Sequence, residues 1–79
     1  MTNRETFLAT YHEQLRNAIL THPEEYAYPV SELEFVFARM TAAIERGSFS
    51  KDSPAFRATC KALGINHTYK AIKAYLEAQ

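Results

Sequence analysis

The residues best suited to chemistry in this 79-residue chain are three histidines and a single cysteine. None of His12, His22 and His67 stands three or four residues from another histidine or from the cysteine, the spacing that places metal ligands on one helix face. Surface histidines are therefore expected. Cys60 falls on the apolar stripe of a predicted helix, where a buried, unreactive thiol is expected. The sequence predicts no metal ion and no cofactor.

Other components of catalytic sites are also missing from the sequence. Two isolated glycines cannot form a phosphate-binding loop. The carboxylates cluster at predicted helix starts, where capping explains them without catalysis. A domain of this size is also expected to form a poor cavity for a small substrate. The chain is therefore predicted to be non-enzymatic and to have no small-molecule substrate.

The strongest constellation covers residues 56–76, where two short helices are predicted on either side of a turn of Gly64, Ile65 and Asn66. This layout is typical of a helix-turn-helix motif, and also of structural helical hairpins that never bind DNA. In the DNA-binding interpretation, Asn66 and His67 would begin the recognition helix and reach base edges. The side chains that could contact phosphates are Arg57, Lys70 and Lys73.

Charge is balanced over the whole chain but uneven along it. Nine Lys and Arg residues offset nine Asp and Glu residues. Residues 1–50 carry four basic against seven acidic side chains, whereas residues 51–79 carry five against two. The C-terminal part could approach an anion, but the domain lacks the strong basic excess typical of nucleic-acid-binding proteins.

Helix boundary signals predict the elements that position these residues. A capping box of Thr2 and Glu5 begins a first helix that runs to about Leu20 and ends at the following His-Pro pair. A second capping box, of Ser31 and Glu34, begins the second helix, which Gly47 ends. Asp52 or Ser53 with Pro54 begins the third helix, which runs to Leu63, and Asn66 caps the fourth.

Apolar residues three and four positions apart predict which side of each helix faces the core. The inward residues of the first helix are Phe7, Leu8, Tyr11, Leu15, Ala18 and Ile19. Those of the second are Leu33, Val36, Phe37, Met40 and Ile44. Those of the third and fourth are Phe56, Cys60, Leu63, Tyr69, Ile72 and Leu76. Phe49 is expected to fill the space beneath the helices as a plug, and no segment alternates like a strand.

One aromatic residue of the second helix does not fit the inward stripe. Phe35 is two positions from Leu33 and therefore about 200° away around the helix. It is predicted to be exposed near Arg39 and Arg46, in the mixture of aromatic and arginine side chains that interaction hot spots favour, although a broad core-facing stripe could also include it. The corner between the first two helices adds Tyr26 and Tyr28 to this predicted protein-binding surface.

The segment Arg-Ala-Thr-Cys-Lys-Ala-Leu-Gly-Ile-Asn-His-Thr-Tyr-Lys-Ala-Ile-Lys-Ala-Tyr-Leu, after Ile-Glu-Arg-Gly-Ser-Phe-Ser-Lys-Asp, resembles small uncharacterised proteins of tailed bacteriophages and prophages. The upstream Pro-Glu-Glu-Tyr-Ala-Tyr-Pro extends this resemblance to roughly residues 22–76. The resemblance implies an accessory protein in the host cytoplasm that binds a host protein, as host-takeover and anti-defence factors do. It implies no functional residues.

We therefore predict one all-α domain over residues 1–79, a compact bundle of about four helices whose last two form a helix-turn-helix-like hairpin. The leading function is a phage-type accessory protein that binds a host protein. The alternatives are a small helix-turn-helix DNA-binding regulator and a self-associating structural or assembly component. A cytoplasmic location is expected, since one cysteine forms no disulfide framework and no export signal or long apolar segment is present.

Overall fold

The computed structural model describes residues 2–21 and 30–78, and within these ranges it contains four α-helices and no strand. The helices are α1 (Asn3–Thr21), α2 (Leu33–Arg46), α3 (Pro54–Leu63) and α4 (Tyr69–Glu77), and a short 3-10 turn (Val30–Glu32) precedes α2. The first helix is central, because α2, α3 and α4 all pack against it. The predicted all-α fold is confirmed.

The start of α1 has the predicted capping box. The amide of Glu5 donates to Thr2 Oγ1 (3.1 Å), and the amide of Thr2 donates to Glu5 Oε1 (3.1 Å). Hydrogen bonds from the backbone amide and from the hydroxyl of Thr2 to the Glu5 carboxylate lower the pKa of this carboxyl. The core-facing side of the helix follows the predicted stripe, with Leu8 partly buried and five residues buried, namely Phe7, Tyr11, Leu15, Ala18 and Ile19. The predicted end at His22 and Pro23 lies outside the described residues.

The start of α2 differs from the prediction. Ser31 does not cap this helix; it lies within the 3-10 turn, and Glu32, which makes no capping hydrogen bond, stands at the boundary. The turn leads directly into the helix, so no extended residue is left to act as a cap. The predicted partner Glu34 instead places its carboxylate 2.6 Å from His12 Nε2 on α1. The predicted end is confirmed, since Gly47 is left-handed with φ of 74°.

The boundaries of α3 agree with the sequence signals. The amide of Phe56 donates to Ser53 Oγ (3.2 Å), and Pro54 occupies the first helical position. Gly64 adopts φ of 68°, and the amide of Ile65 folds back to donate to the Cys60 carbonyl (2.9 Å). These contacts end the helix where the sequence predicts.

The start of α4 and one of its inward residues were predicted wrongly. Thr68 is the cap, because its hydroxyl accepts from the amide of Ala71 (3.1 Å), and Asn66 lies two residues earlier in the turn. Tyr69 is half exposed rather than buried. The face of α4 turned to α1 instead includes Tyr75, whose ring centroid lies 6.4 Å from that of Phe7.

The core is centred on the fully buried ring of Phe56. Its centroid lies 5.2 Å from that of Phe7, 5.8 Å from that of Tyr11 and 5.4 Å from that of Phe49. Phe49 comes from the loop between α2 and α3 and is buried, so the predicted plug is confirmed. These rings join three separate segments of the chain in one aromatic cluster.

Cys60 supplies the first testable prediction. Its thiol is buried, and burial raises its pKa, which disfavours the reactive thiolate. We expect Cys60→Ala to lower the free energy of unfolding by about 1 kcal/mol through lost buried volume. The native protein should react with a thiol reagent only as fast as it opens. Labelling of the folded protein as fast as that of a free cysteine would contradict this.

Candidate functional site

The second helix presents its most exposed aromatic side chain on the side away from the core. Phe35 is 66% exposed, whereas Leu33 is only 7% exposed. Residues two positions apart on an α-helix point in directions about 200° apart. Because α2 packs against α1 on the side of Leu33, Phe35 points away from the core. The predicted exposure of Phe35 is therefore confirmed.

Arg39 lies one helical turn after Phe35 and covers its ring. The guanidinium carbon of Arg39 is 5.9 Å from the centroid of the Phe35 ring, within the range of a cation–π contact. The contact keeps the aromatic face and the positive charge next to each other. It also leaves both groups accessible, since both residues are exposed.

A groove of about 520 Å³ continues from Arg39 along the same helix. Half-buried Val36, Met40 and Ala43 supply its apolar side chains, and Arg39 and Arg46 supply its charge. The remaining lining residues are Ala42, Ser48 and Ser50. Among residues 2–21 and 30–78, no acidic side chain lines this groove. We call Phe35 together with this groove the α2 surface.

The structure brings together three of the five residues predicted for protein binding. Phe35, Arg39 and Arg46 lie on the α2 surface, whereas Tyr26 and Tyr28 lie outside the described residues. Sequence reasoning assigned Val36 and Met40 to the core only. Both are half-buried and line the groove as well as packing on the core. The sequence did carry a signal for this role, because Val36 directly follows Phe35 and Met40 directly follows Arg39.

The residues predicted for DNA binding are distributed differently. Arg57, Asn66, Lys70 and Lys73 are exposed, but Asn66 and His67 lie in the turn before α4 rather than in the helix. His67 was expected at the surface, but its ring is half-buried. Its Nε2 donates to the backbone carbonyl of Lys51.

A carboxylate lies among the basic groups of this region. Lys51 Nζ is 3.1 Å from Asp52 Oδ1, and this contact lowers the pKa of the Asp52 carboxyl. The nearby charges of His67 and Arg57 lower the same pKa further. A negative charge therefore lies close to Arg57 and His67, two of the residues predicted for DNA binding.

Two expectations about ligands can be compared with the described residues. A poor cavity was expected for so small a domain, and the described residues form concave regions of about 520 Å³ and 400 Å³ that are both open to solvent. Within residues 2–21 and 30–78, no group of three or more His, Cys, Asp or Glu side chains could hold a metal ion.

No helix in the described part of the chain is long and apolar enough to cross a membrane.

Comparison of the chain with protein-family models, with curated proteins and with solved structures gave no match. The α2 surface combines an exposed aromatic ring, two guanidinium groups and an apolar groove on one helix. Such a combination can bind a partner surface that carries both apolar and acidic groups.

Proposed function

We propose that this chain is a non-enzymatic binding module that uses the α2 surface to bind an acidic, partly apolar surface of another protein. The observation that supports the proposal best is the exposed Phe35 ring held against Arg39 beside an apolar groove. The resemblance to phage accessory proteins makes a bacterial host protein the proposed partner. Inhibition of a host function, in takeover or anti-defence, is the corresponding role.

The energetics of the α2 surface favour binding. Burial of an exposed aromatic side chain removes a large apolar area from water, at roughly 25 cal/mol per Å². Since Arg39 already contacts the Phe35 ring, part of the side-chain ordering is complete before a partner arrives. Aromatic and arginine side chains are enriched at interfaces for these reasons.

Charge favours a different protein over a second copy of this chain. In a symmetric dimer built on the α2 surface, the same patch of both copies would meet, and guanidinium groups of Arg39 and Arg46 would approach their equivalents. Such like-charge contacts are unfavourable. An acidic partner would instead gain from both arginines. A self-associating assembly component is thus the less favoured alternative, and its stability would depend on concentration.

DNA binding is the second candidate, supported by the exposed side chains of Arg57, Lys70 and Lys73. Asp52 and Glu77 lie among or beside these residues, which reduces the positive field that phosphates would meet. The two candidates respond differently to salt. DNA binding weakens steeply as salt releases counterions, whereas the α2 surface, which offers two arginines beside an apolar groove, should lose less affinity over the same range of salt.

Charge reversal at Arg39 tests the proposed function. Proteins retained from a bacterial lysate by the immobilised chain are quantified for wild type, Arg39→Glu and Arg16→Glu, an exposed α1 residue outside the groove. We expect the immobilised Arg39→Glu variant to retain at least about tenfold less of a specific protein than wild type does, and Arg16→Glu to retain as much as wild type. Equal retention by all three forms, or a DNA fragment retarded at low salt in place of a protein, would contradict the proposal.

A further inference from the structure

A second concave region lies where the beginning of α1 meets the ends of α2 and α4. Its volume of about 400 Å³ is within the range of small-ligand sites, which begins near roughly 300 Å³. Three cationic side chains line it, from Arg4, Arg46 and Lys73. We call it the Arg4 pocket. It is distinct from the groove on α2, although Arg46 lines both.

Arg4 differs from the other two cations in its burial. Its Nη1 atom is inaccessible to solvent and has no hydrogen-bond partner among the described residues. Arg46 and Lys73 are exposed, so water can solvate them. A buried charged donor without a partner is costly and rare in folded proteins. Arg4 also lines the pocket, so its guanidinium adds to the positive charge there, and one of its donors is not used by any described residue.

The remaining walls of the Arg4 pocket are largely apolar. The ring centroids of Phe49 and Tyr69 are 5.4 Å apart, and Ile44 and Leu76 complete this side. Tyr69 is half exposed even though the sequence placed it in the core. Because the Tyr69 ring is already exposed, it can contact an incoming ligand without any rearrangement of the core. A matching ligand carries an apolar or aromatic body next to its anionic group.

Two carboxylates determine how much negative charge the pocket accepts. Among the described residues, Glu45 and Glu77 line it together with the three cations, so their excess of positive charge is one. A monoanion balances this excess, whereas a doubly charged phosphate would leave a net negative charge beside two glutamates. The planar fork of an arginine also matches the geometry of a carboxylate.

We propose that the Arg4 pocket binds a carboxylate group attached to a small apolar or aromatic body. The source of this group is either a free organic acid or an aspartate side chain between apolar residues of a peptide. The proposal goes beyond the protein-binding function and does not depend on it, because neither Phe35 nor Arg39 lines this pocket.

The probe for this site is phenylacetate, titrated into the protein and followed by amide chemical shifts. We expect saturable shifts at residues that line the pocket, including Gly47 and Tyr69. Arg4→Gln should weaken binding at least about tenfold. Glu77→Gln should strengthen it, since a like charge is removed. The neutral analogue 2-phenylethanol and inorganic phosphate should both bind more weakly than phenylacetate.

Controls separate the site from general charge and from misfolding. Arg57→Gln removes an exposed charge that does not line the pocket and should leave phenylacetate binding unchanged. If Arg4→Gln fails to fold, Lys73→Gln takes its place, because this side chain is exposed and lines the same pocket. Each variant is checked for cooperative unfolding before the titration.

A second arm distinguishes the two sources of the carboxylate. A capped tripeptide with aspartate between two phenylalanines is titrated in the same way. Tighter binding of phenylacetate supports a free acid, and tighter binding of the tripeptide supports a peptide ligand. Absence of saturable shifts with both probes, or affinities unchanged by Arg4→Gln and by Lys73→Gln, would overturn the proposal. Retention of a protein by the α2 surface is unaffected by either result.

Discussion

Replacement of Phe56 by alanine is expected to lower the free energy of unfolding by about 3–5 kcal/mol, a large fraction of the stability of so small a domain. The Phe56 ring is fully buried and contacts the rings of Phe7, Tyr11 and Phe49. Its removal leaves a cavity bordered by α1, by α3 and by the loop before α3. Chemical unfolding followed by circular dichroism measures the change.

Phe35→Ala is the matched control for this prediction, because it deletes the same side chain from an exposed site. Surface substitutions of this kind usually change stability by less than about 0.5 kcal/mol. A similar loss in both variants would contradict the assignment of Phe56 to the core and of Phe35 to the surface. A small effect of Phe56→Ala alone would show that the aromatic cluster is not the main source of stability.

The sequence predicts this core well because helical periodicity reports burial directly. The stripe of α1 and the buried positions Phe56 and Cys60 all occupy the predicted sides of their helices. The two left-handed glycines, Gly47 and Gly64, were predictable because a positive φ after a helix favours a residue without a side chain. Local capping chemistry was likewise sufficient at the start of α1 and at both ends of α3.

The errors arise where two local signals compete or where tertiary contacts decide. Asn66 and Thr68 are both good caps, and the hydroxyl of Thr68 reaches the amide of Ala71. Ser31 and Glu34 match a capping box, but the carboxylate of Glu34 pairs with His12 instead. No sequence pattern within α2 reveals a partner on α1.

The binding sites were only partly predictable from the sequence. Helical spacing of about 200° separates Phe35 from Leu33 and indicates an exposed aromatic residue. The groove beside it needs the relative placement of α2 and the following loop, which contributes Ser48 and Ser50. The Arg4 pocket combines residues from opposite ends of the chain, so no local pattern could indicate it.

Phe35→Ala is also expected to have the largest effect on partner binding. If Phe35 lies at the centre of the interface, its truncation should cost on the order of 2 kcal/mol of binding free energy, or roughly 30-fold in affinity. The reason is the loss of a large contact area and of the ring against which Arg39 is held. Thermal stability should change little, because the side chain is 66% exposed.

The most direct test of the α2 surface is the affinity of the retained partner for wild type, Phe35→Ala and Leu20→Ala, measured with the melting temperature of each form. Leu20 is 59% exposed on α1 and serves as a matched apolar residue outside the groove. We predict that Phe35→Ala weakens binding roughly 30-fold at an almost unchanged melting temperature, while Leu20→Ala binds like wild type. A large drop in melting temperature with unchanged affinity for Phe35→Ala would contradict the proposed binding surface.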